Sequence, residues 1–102
     1  MVNNSIRHMV IFSLKYQLTG QNTVKFLHDS QEILSSIPGV IKFEVLKQVS
    51  NKNEYDFGFS MEFSNKVDYD SYNQNPLHVA FVNERWNAEV TRFLEIDFED
   101  YA

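Results

Sequence analysis

The sequence predicts an α+β domain whose strands and helices follow one another in the order βαββαβ. Two stretches, residues 6–15 and 55–63, alternate apolar and polar side chains, which is typical of strands with one buried face. Between these two stretches, apolar residues recur at helical spacing as far as Pro38-Gly39. A second helical stretch begins at Asn75-Pro76. With 102 residues the chain has room for one core, so we interpret residues 1–102 as a single domain.

The first half of the chain predicts one strand and one helix. The strand occupies residues 6–15 and has one strongly apolar face, made of Ile6, His8, Val10, Phe12 and Leu14. Residues 18–22 form a turn, and Asn22 or Thr23 is the expected N-cap of the helix that follows. The apolar positions of that helix are Phe26, Leu27, Ile33, Leu34 and Ile37.

The second half predicts three strands and a further helical region. The second strand is expected to carry on one face Ile41, Phe43, Val45 and Val49. The third is expected to carry on one face Tyr55, Phe57, Phe59, Met61 and Phe63. A short helix covers about residues 66–73, and another runs from Pro76 to about Ala88. The last strand is expected to carry on one face Leu94, Ile96 and Phe98. A right-handed crossover then gives a ferredoxin-like fold, a four-stranded antiparallel sheet with two helices on one face.

The sheet face without helices bears on the assembly. We expect Met9, Ile11, Val40, Leu46 and Phe93 on that face. Apolar patches of this kind mark interfaces, which predicts a homodimer. The alternative is a monomer with scattered surface apolar residues, since Lys42, Glu44, Asp56 and Glu62 are expected on the same face.

Composition excludes several classes of function. A net charge of −5 and scattered basic residues argue against a nucleic-acid partner. The absence of Cys excludes a disulfide framework or a thiolate site. Three Gly residues and no glycine-rich loop argue against a nucleotide cofactor. The longest apolar run near the N-terminus, residues 9–12, is too short for a signal peptide or a membrane span, so we expect a cytoplasmic protein.

Three polar side chains on apolar faces are candidates for chemistry. His8 points toward the helices from strand one, and the alternative is a core histidine with satisfied hydrogen bonds. His78 lies in the buried stripe of the helix that begins at Pro76, where apolar surroundings favour the neutral imidazole of a general base. Tyr72 precedes His78 by six residues, and the break at Asn75-Pro76 allows both side chains to reach one cavity. The alternative to a chemical role is a structural one for His78 and, for Tyr72, a place in the core with a satisfied hydroxyl.

A metal site is not expected. His8 and His78 would need a third ligand, and no His or acid stands at an i, i+4 spacing from either on an inward face.

Three segments of the sequence resemble the stress-responsive dimeric A/B barrel (Dabb) family. Residues 6–15, IRHMVIFSLK, resemble its opening strand, which carries His in the place of His8. Residues 37–40, IPGV, match its helix-to-strand turn, and residues 72–79, YNQNPLHV, resemble its Tyr, Pro and His segment. The similarity extends from about residue 5 to about residue 99.

The resemblance implies a homodimer whose two sheets face each other as an α/β barrel, with a pocket between each sheet and its helices. Most members have no assigned activity. A few plant members resemble cofactor-free polyketide cyclases, in which residues matching Tyr72 and His78 perform the chemistry and one matching His8 lines the pocket. This sequence has Phe57 where those cyclases carry another His and Asn75 where His often precedes the Pro, so its pocket is less polar.

Two functions follow as hypotheses. The first is a cofactor-independent enzyme that transfers protons on a small aromatic or polyketide-like molecule, with His78 and Tyr72 as catalytic residues. The second is a non-catalytic ligand-binding or stress-protective dimer. In either case a small apolar or aromatic ligand would contact His8, Val10, Phe57, Phe59 and Phe81. A cavity of roughly 300 Å³ or more would favour the enzyme, and aromatic side chains filling that space would favour the second function.

Overall fold

The computed structural model describes residues 4–102 and confirms the predicted fold class. Its four strands are β1 (Ile6–Leu14), β2 (Ile41–Lys47), β3 (Phe57–Phe63) and β4 (Val90–Phe98). They form one antiparallel sheet in the order β2-β3-β1-β4, the ferredoxin-like arrangement. The helices are α1 (Gln21–Ser35), α2 (Lys66–Gln74), α3 (Pro76–Phe81) and α4 (Asn87–Glu89), with a π-helical segment (Val82–Trp86) between α3 and α4.

The ends of the helices follow from local hydrogen bonds. The expected cap of α1 at Asn22 or Thr23 is wrong, because the helix begins at Gln21 after an extended Gly20. The buried Thr23 hydroxyl instead donates to the backbone carbonyl of Gln17 at 2.6 Å, which ties the turn to the helix. Asn75 caps α3: its backbone is extended, and its side chain accepts a hydrogen bond from the Leu77 N–H at 2.9 Å.

An aromatic cluster forms the core between the sheet and the helices. The ring of Phe12 lies 4.7 Å from that of Phe59, 5.0 Å from that of Trp86 and 6.1 Å from that of Phe26. Burial of each large apolar side chain contributes about 1.5–3 kcal/mol, so this cluster stabilises the contact between the two layers. Phe59 and Trp86 of this cluster also line the cavity described below.

A β-bulge in β2 changes which residues share a face. Ile41 pairs with Glu62 and Glu44 with Ser60, so one extra residue lies in β2, and Lys42 has a left-handed φ of 57°. The prediction that Ile41 shares a face with Phe43 and Val45 is therefore wrong, because the bulge turns Ile41 to the side without helices. Val49, predicted on the same face, lies beyond the end of the strand and is 90% exposed.

The faces of β4 are the reverse of those predicted. Phe93 pairs with Phe12, Glu95 with Val10 and Asp97 with His8, all on the helix side of the sheet. The expectation that Phe93 lies on the uncovered face is wrong, and its ring lies 5.5 Å from that of Trp86. The same holds for Val40, which packs against the core just before β2.

The uncovered face of the sheet is more apolar than the sequence predicted. Because the faces of β4 are the reverse of those predicted, the uncovered face carries Leu94, Ile96 and Phe98 as well as Met9, Ile11 and Leu46. Leu46, Leu94 and Phe98 are among its exposed large side chains. Within residues 4–102, no helix combines the length and the apolar character that crossing a membrane requires.

Candidate functional site

A cavity of about 160 Å³ lies between the sheet and the helices. Its polar lining consists of His8, Tyr72, His78, Asn87 and Glu95, and its apolar lining of Val10, Leu34, Phe59, Met61, Phe81, Val82, Trp86 and Phe93. The floor is the inner face of β1, β3 and β4, and the roof is formed by α1, α2, α3 and the helical segments that follow. The polar side chains therefore face an apolar wall, half of whose residues are aromatic.

Six of the seven predicted site residues line this cavity: His8, Val10, Phe59, Tyr72, His78 and Phe81. The seventh, Phe57, is not among its lining residues. It is buried two residues before Phe59 on β3, where it pairs with Phe12, and the two rings are 5.9 Å apart. Phe57 therefore belongs to the aromatic core and lies outside the cavity wall.

The helix break brings Tyr72 and His78 together. Tyr72 lies near the end of α2 and His78 in the first turn of α3, and the extended backbone at Asn75 (ψ 134°) changes the direction of the chain between them. On one regular helix, residues six apart point about 120° away from each other. Here their ring centroids are 4.5 Å apart. The two side chains thus line the cavity next to each other.

The Tyr72 hydroxyl is available to a ligand. Tyr72 is only 2% exposed, yet its hydroxyl forms no hydrogen bond to any group in the described range 4–102. No side-chain nitrogen or oxygen in that range is sealed from solvent without a partner, so the hydroxyl reaches the open space of the cavity. A buried donor of this kind gains a hydrogen bond when a ligand oxygen arrives.

Burial shifts the pKa values of Tyr72 and His78 in opposite directions. Burial, with smaller contributions from Tyr69 and Glu95, raises the pKa of Tyr72, so the phenol keeps its proton at neutral pH. Burial also lowers the pKa of His78, a hydrogen bond to the Asn73 backbone raises it in part, and the smaller effects of His8 and Glu95 lower and raise it respectively. The result is a protonated donor beside a neutral imidazole, the two states that proton transfer requires.

His8 is held by a carboxylate that the sequence analysis did not assign. Its Nδ1 lies 2.6 Å from Asp97 Oδ1, and the Tyr69 hydroxyl donates to Asp97 Oδ2 at 2.9 Å. Because a carboxylate only accepts hydrogen bonds, Nδ1 of His8 is the donor in this contact, and Nε2 is the ring nitrogen left for other partners. His8 is 5% exposed and lines the cavity, so Asp97 and Tyr69 fix its orientation there.

Glu95 and Asp97 were missed because β4 was assigned to the wrong face. The apolar residues Leu94 and Ile96 alternate with the two acids, and such a pattern usually places the acids in solvent. The signal that could have identified them was His8, since an inward histidine needs a partner on a neighbouring strand. An acid on an inward position of β4 supplies that partner.

The π-helical segment aims two aromatic rings at the cavity. In an α-helix, residues five apart point about 140° away from each other, whereas a π turn brings them closer in direction. Here the N–H of Asn87 bonds to the carbonyl of Val82, five residues earlier, and both Phe81 and Trp86 line the cavity. Arg85 anchors the segment by donating to Asp29 of α1 at 2.9 Å. The regular helix predicted through to Ala88 is therefore interrupted, and π turns often occur at functional sites.

Metal ligation is poorly supported by the side chains present. Across residues 4–102, no three His, Cys, Asp or Glu side chains are grouped closely enough to hold an ion.

Comparison with known proteins identifies the family. The model of the stress responsive A/B barrel domain matches residues 6–100. A crystal structure of a Dabb family protein with a ferredoxin-like fold from Mesorhizobium loti is 49% identical, covers 96% of this chain and 98% of that chain, and superposes with a TM-score of 0.95. Comparison with curated proteins finds no match.

Two more distant structures share the fold. A dimeric protein of unknown function and ferredoxin-like fold from Bacteroides fragilis is 19% identical, with a TM-score of 0.73 and coverage of 98% of this chain and 100% of that one. A hydroxynitrile lyase from Passiflora edulis is 14% identical, with a TM-score of 0.82 and coverage of 96% and 94%. From the family match and the 49% identical relative, the chain belongs to the stress responsive A/B barrel (Dabb) domain family.

Proposed function

We propose that the protein is a homodimer that binds a small aromatic molecule between sheet and helices and transfers a proton on it without a cofactor. The observation that carries this proposal is the pairing of Tyr72 with His78. One side chain is a buried phenol without a hydrogen-bond partner among residues 4–102, and the other is an imidazole whose pKa is lowered by burial. Enzymes place a donor and a base side by side in this way to stabilise a developing oxyanion while a proton leaves.

The cavity limits the ligand to about one ring. Its volume of about 160 Å³ is below the roughly 300 Å³ expected for a drug-sized ligand. An apolar cavity of about 150 Å³ is, however, enough to hold benzene. A single-ring molecule with one polar group therefore fits the space and its lining better than an extended polyketide chain.

The proposed roles follow from position and protonation. The ring nitrogen of His78 takes a proton from a carbon next to a carbonyl group, and the electrons of that C–H bond form an enolate. The Tyr72 hydroxyl donates a hydrogen bond to the enolate oxygen. His8, whose Nδ1 is held by Asp97, presents Nε2 to the ligand and orients it. Return of the proton from His78 completes an exchange that needs no cofactor.

The dimer is proposed from the uncovered face of the sheet. Its apolar side chains on β1, β2 and β4 form a patch that a monomer would expose to water. The Bacteroides fragilis protein of the same fold is described as dimeric. A second copy laid against this face would bury the patch and complete a barrel of two sheets.

Binding without chemistry is the second candidate, and the size of the cavity favours it. Eight of its thirteen lining residues are apolar, and the space is smaller than most catalytic clefts. A protein that only holds a small apolar ligand would need nothing more. The distinction between the two candidates lies in what His78 does after the ligand has bound.

Deuterium exchange tests the two candidates against each other. Acetophenone is a single-ring ketone whose methyl protons are acidic, and their replacement by deuterium in D₂O is followed by NMR. We expect the protein to accelerate exchange, and His78→Gln to reduce the acceleration by about 10²–10⁴-fold. Acetophenone that binds without any accelerated exchange would overturn the catalytic proposal in favour of binding alone.

A further inference from the structure

We propose that Glu95 makes this cavity select ring molecules that carry an ammonium group, and that it discriminates against carboxylates. The inference rests on the proposed function, because it names the chemical class of ligand for the same cavity. It concerns the charge of the ligand, which the roles of Tyr72 and His78 leave open.

Glu95 is the charged group at the cavity. Its position on β4 is paired with Val10 of β1, on the helix side of the sheet, and its side chain lines the cavity while staying exposed to solvent. A lining residue that is also exposed lies at the mouth. No Lys or Arg within residues 4–102 lines the cavity, and Glu95 forms no ion pair within that range. Within the described part of the chain, its carboxylate therefore has no basic side chain to neutralise it.

The charge of Glu95 acts on the reactive pair as well. It raises the pKa of both Tyr72 and His78, as a negative charge close to both groups should. A second negative charge brought in by a carboxylate ligand would be repelled by the same carboxylate. A ligand ammonium would be attracted and could donate a charge-assisted hydrogen bond to it.

Aromatic rings beside Glu95 favour the same class of ligand. Phe93 precedes Glu95 by two residues on the same face of β4, and its ring packs edge-on against Trp86 at 5.5 Å. Both rings line the cavity. The faces of aromatic rings attract cations, with Trp the strongest of them. A carboxylate and two aromatic rings at one site are the groups that recognise an organic ammonium ion.

Three ligands of equal ring size test the inference. Benzylamine, benzyl alcohol and benzoate differ in charge, and Trp86, the one tryptophan in the sequence, lines the cavity and reports occupancy by its fluorescence. We expect benzylamine to bind about tenfold more tightly than benzyl alcohol, as a single charge-assisted contact at a solvent-exposed group provides, and benzoate to bind most weakly. Glu95→Gln should reduce the difference in affinity among the three ligands to within about twofold. The matched control is Glu84→Gln, which removes the same charge from an exposed position outside the cavity lining.

The outcomes separate this inference from the proposed function. If benzoate binds as tightly as benzylamine, or if the order of the three ligands persists in Glu95→Gln, the role of Glu95 is overturned while the cavity remains a binding site. If Glu84→Gln removes the spread as fully as Glu95→Gln, overall charge explains the preference and the inference fails. If none of the three ligands binds, the single-ring cavity of the proposed function is overturned, and this inference with it.

Discussion

His8 and Asp97 are direct neighbours across strands β1 and β4, and their side chains bond at 2.6 Å on the helix side of the sheet. This contact joins a buried histidine at the cavity to a half-exposed acid at the sheet edge. The Tyr69 hydroxyl, on α2, bonds to the same carboxylate and so connects the helical layer to both strands. The orientation of His8 therefore depends on three separate elements of the fold.

Loss of Asp97 should destabilise the protein through His8. Asp97→Ala leaves the buried His8 Nδ1–H without its acceptor, which costs about 1–3 kcal/mol. Asp97→Asn keeps an oxygen acceptor and should cost less. Urea unfolding measures the free energy of unfolding of both variants, with Glu99→Ala as the control at an exposed neighbouring position. Equal stability of the Asp97→Ala variant and the wild type would contradict a structural role for the contact.

The burial of Phe59 predicts a large effect on stability. Phe59 is 1% exposed and contacts the rings of Phe12, Phe43 and Trp86. Phe59→Ala should therefore lower the free energy of unfolding by about 3–5 kcal/mol. The control is Val49→Ala, at an exposed position where we expect less than about 0.5 kcal/mol. Similar melting temperatures for the two variants would show that β3 has the other face inward.

The sequence predicted the proximity of Tyr72 and His78 better than it predicted the faces of the last strand. The alternation in β3 identified Phe59 as inward, and the Asn75-Pro76 break predicted that Tyr72 and His78 could meet. Both signals are local, since a strand has a period of two and a capped proline begins a helix.

The faces of β4 were not predictable by the same means. Alternation shows which residues share a face, but both faces of this sheet carry large apolar residues, so it does not show which face the helices cover. The bulge at Lys42 and the π segment each depend on one residue more than the regular repeat, and neither has a clear local sequence signal.

The lowered pKa of His78 predicts a pH dependence of stability. Burial favours the neutral ring in the folded state, so the unfolded chain binds more protons than the folded one between the lowered pKa and the ordinary value of about 6.5. The free energy of unfolding should therefore fall as the pH falls from about 6.5 towards the folded pKa.

His78→Gln isolates this contribution, because glutamine does not titrate. Its free energy of unfolding should depend less on pH than that of the wild type between about pH 5 and 7. The control is His28→Gln, since His28 is exposed on α1. If the His78→Gln and wild-type curves are parallel, His78 is not held neutral by the fold.

The proposed dimer predicts a change in association when Ile11 becomes charged. Ile11 lies near the middle of the uncovered face, paired with Gly58 on one side and Leu94 on the other. Ile11→Lys should place an unpaired charge in the interface and weaken association by several kcal/mol, roughly 3–5. Sedimentation velocity at micromolar concentration measures the change. Leu77→Lys, an exposed position on the helical side, should leave the dimer intact. A wild-type protein that sediments as a monomer would refute the dimer.

A crystal structure with acetophenone bound is the most direct test of the central claim, that Tyr72 and His78 act on one ligand in one cavity. We predict the ligand ring against the cavity-facing sides of Phe59 and Trp86, and the ketone oxygen within about 2.6–3.2 Å of the Tyr72 hydroxyl. The ligand methyl carbon should face a ring nitrogen of His78. A ligand bound elsewhere, or a Tyr72 hydroxyl directed away from the ketone oxygen, would contradict the claim.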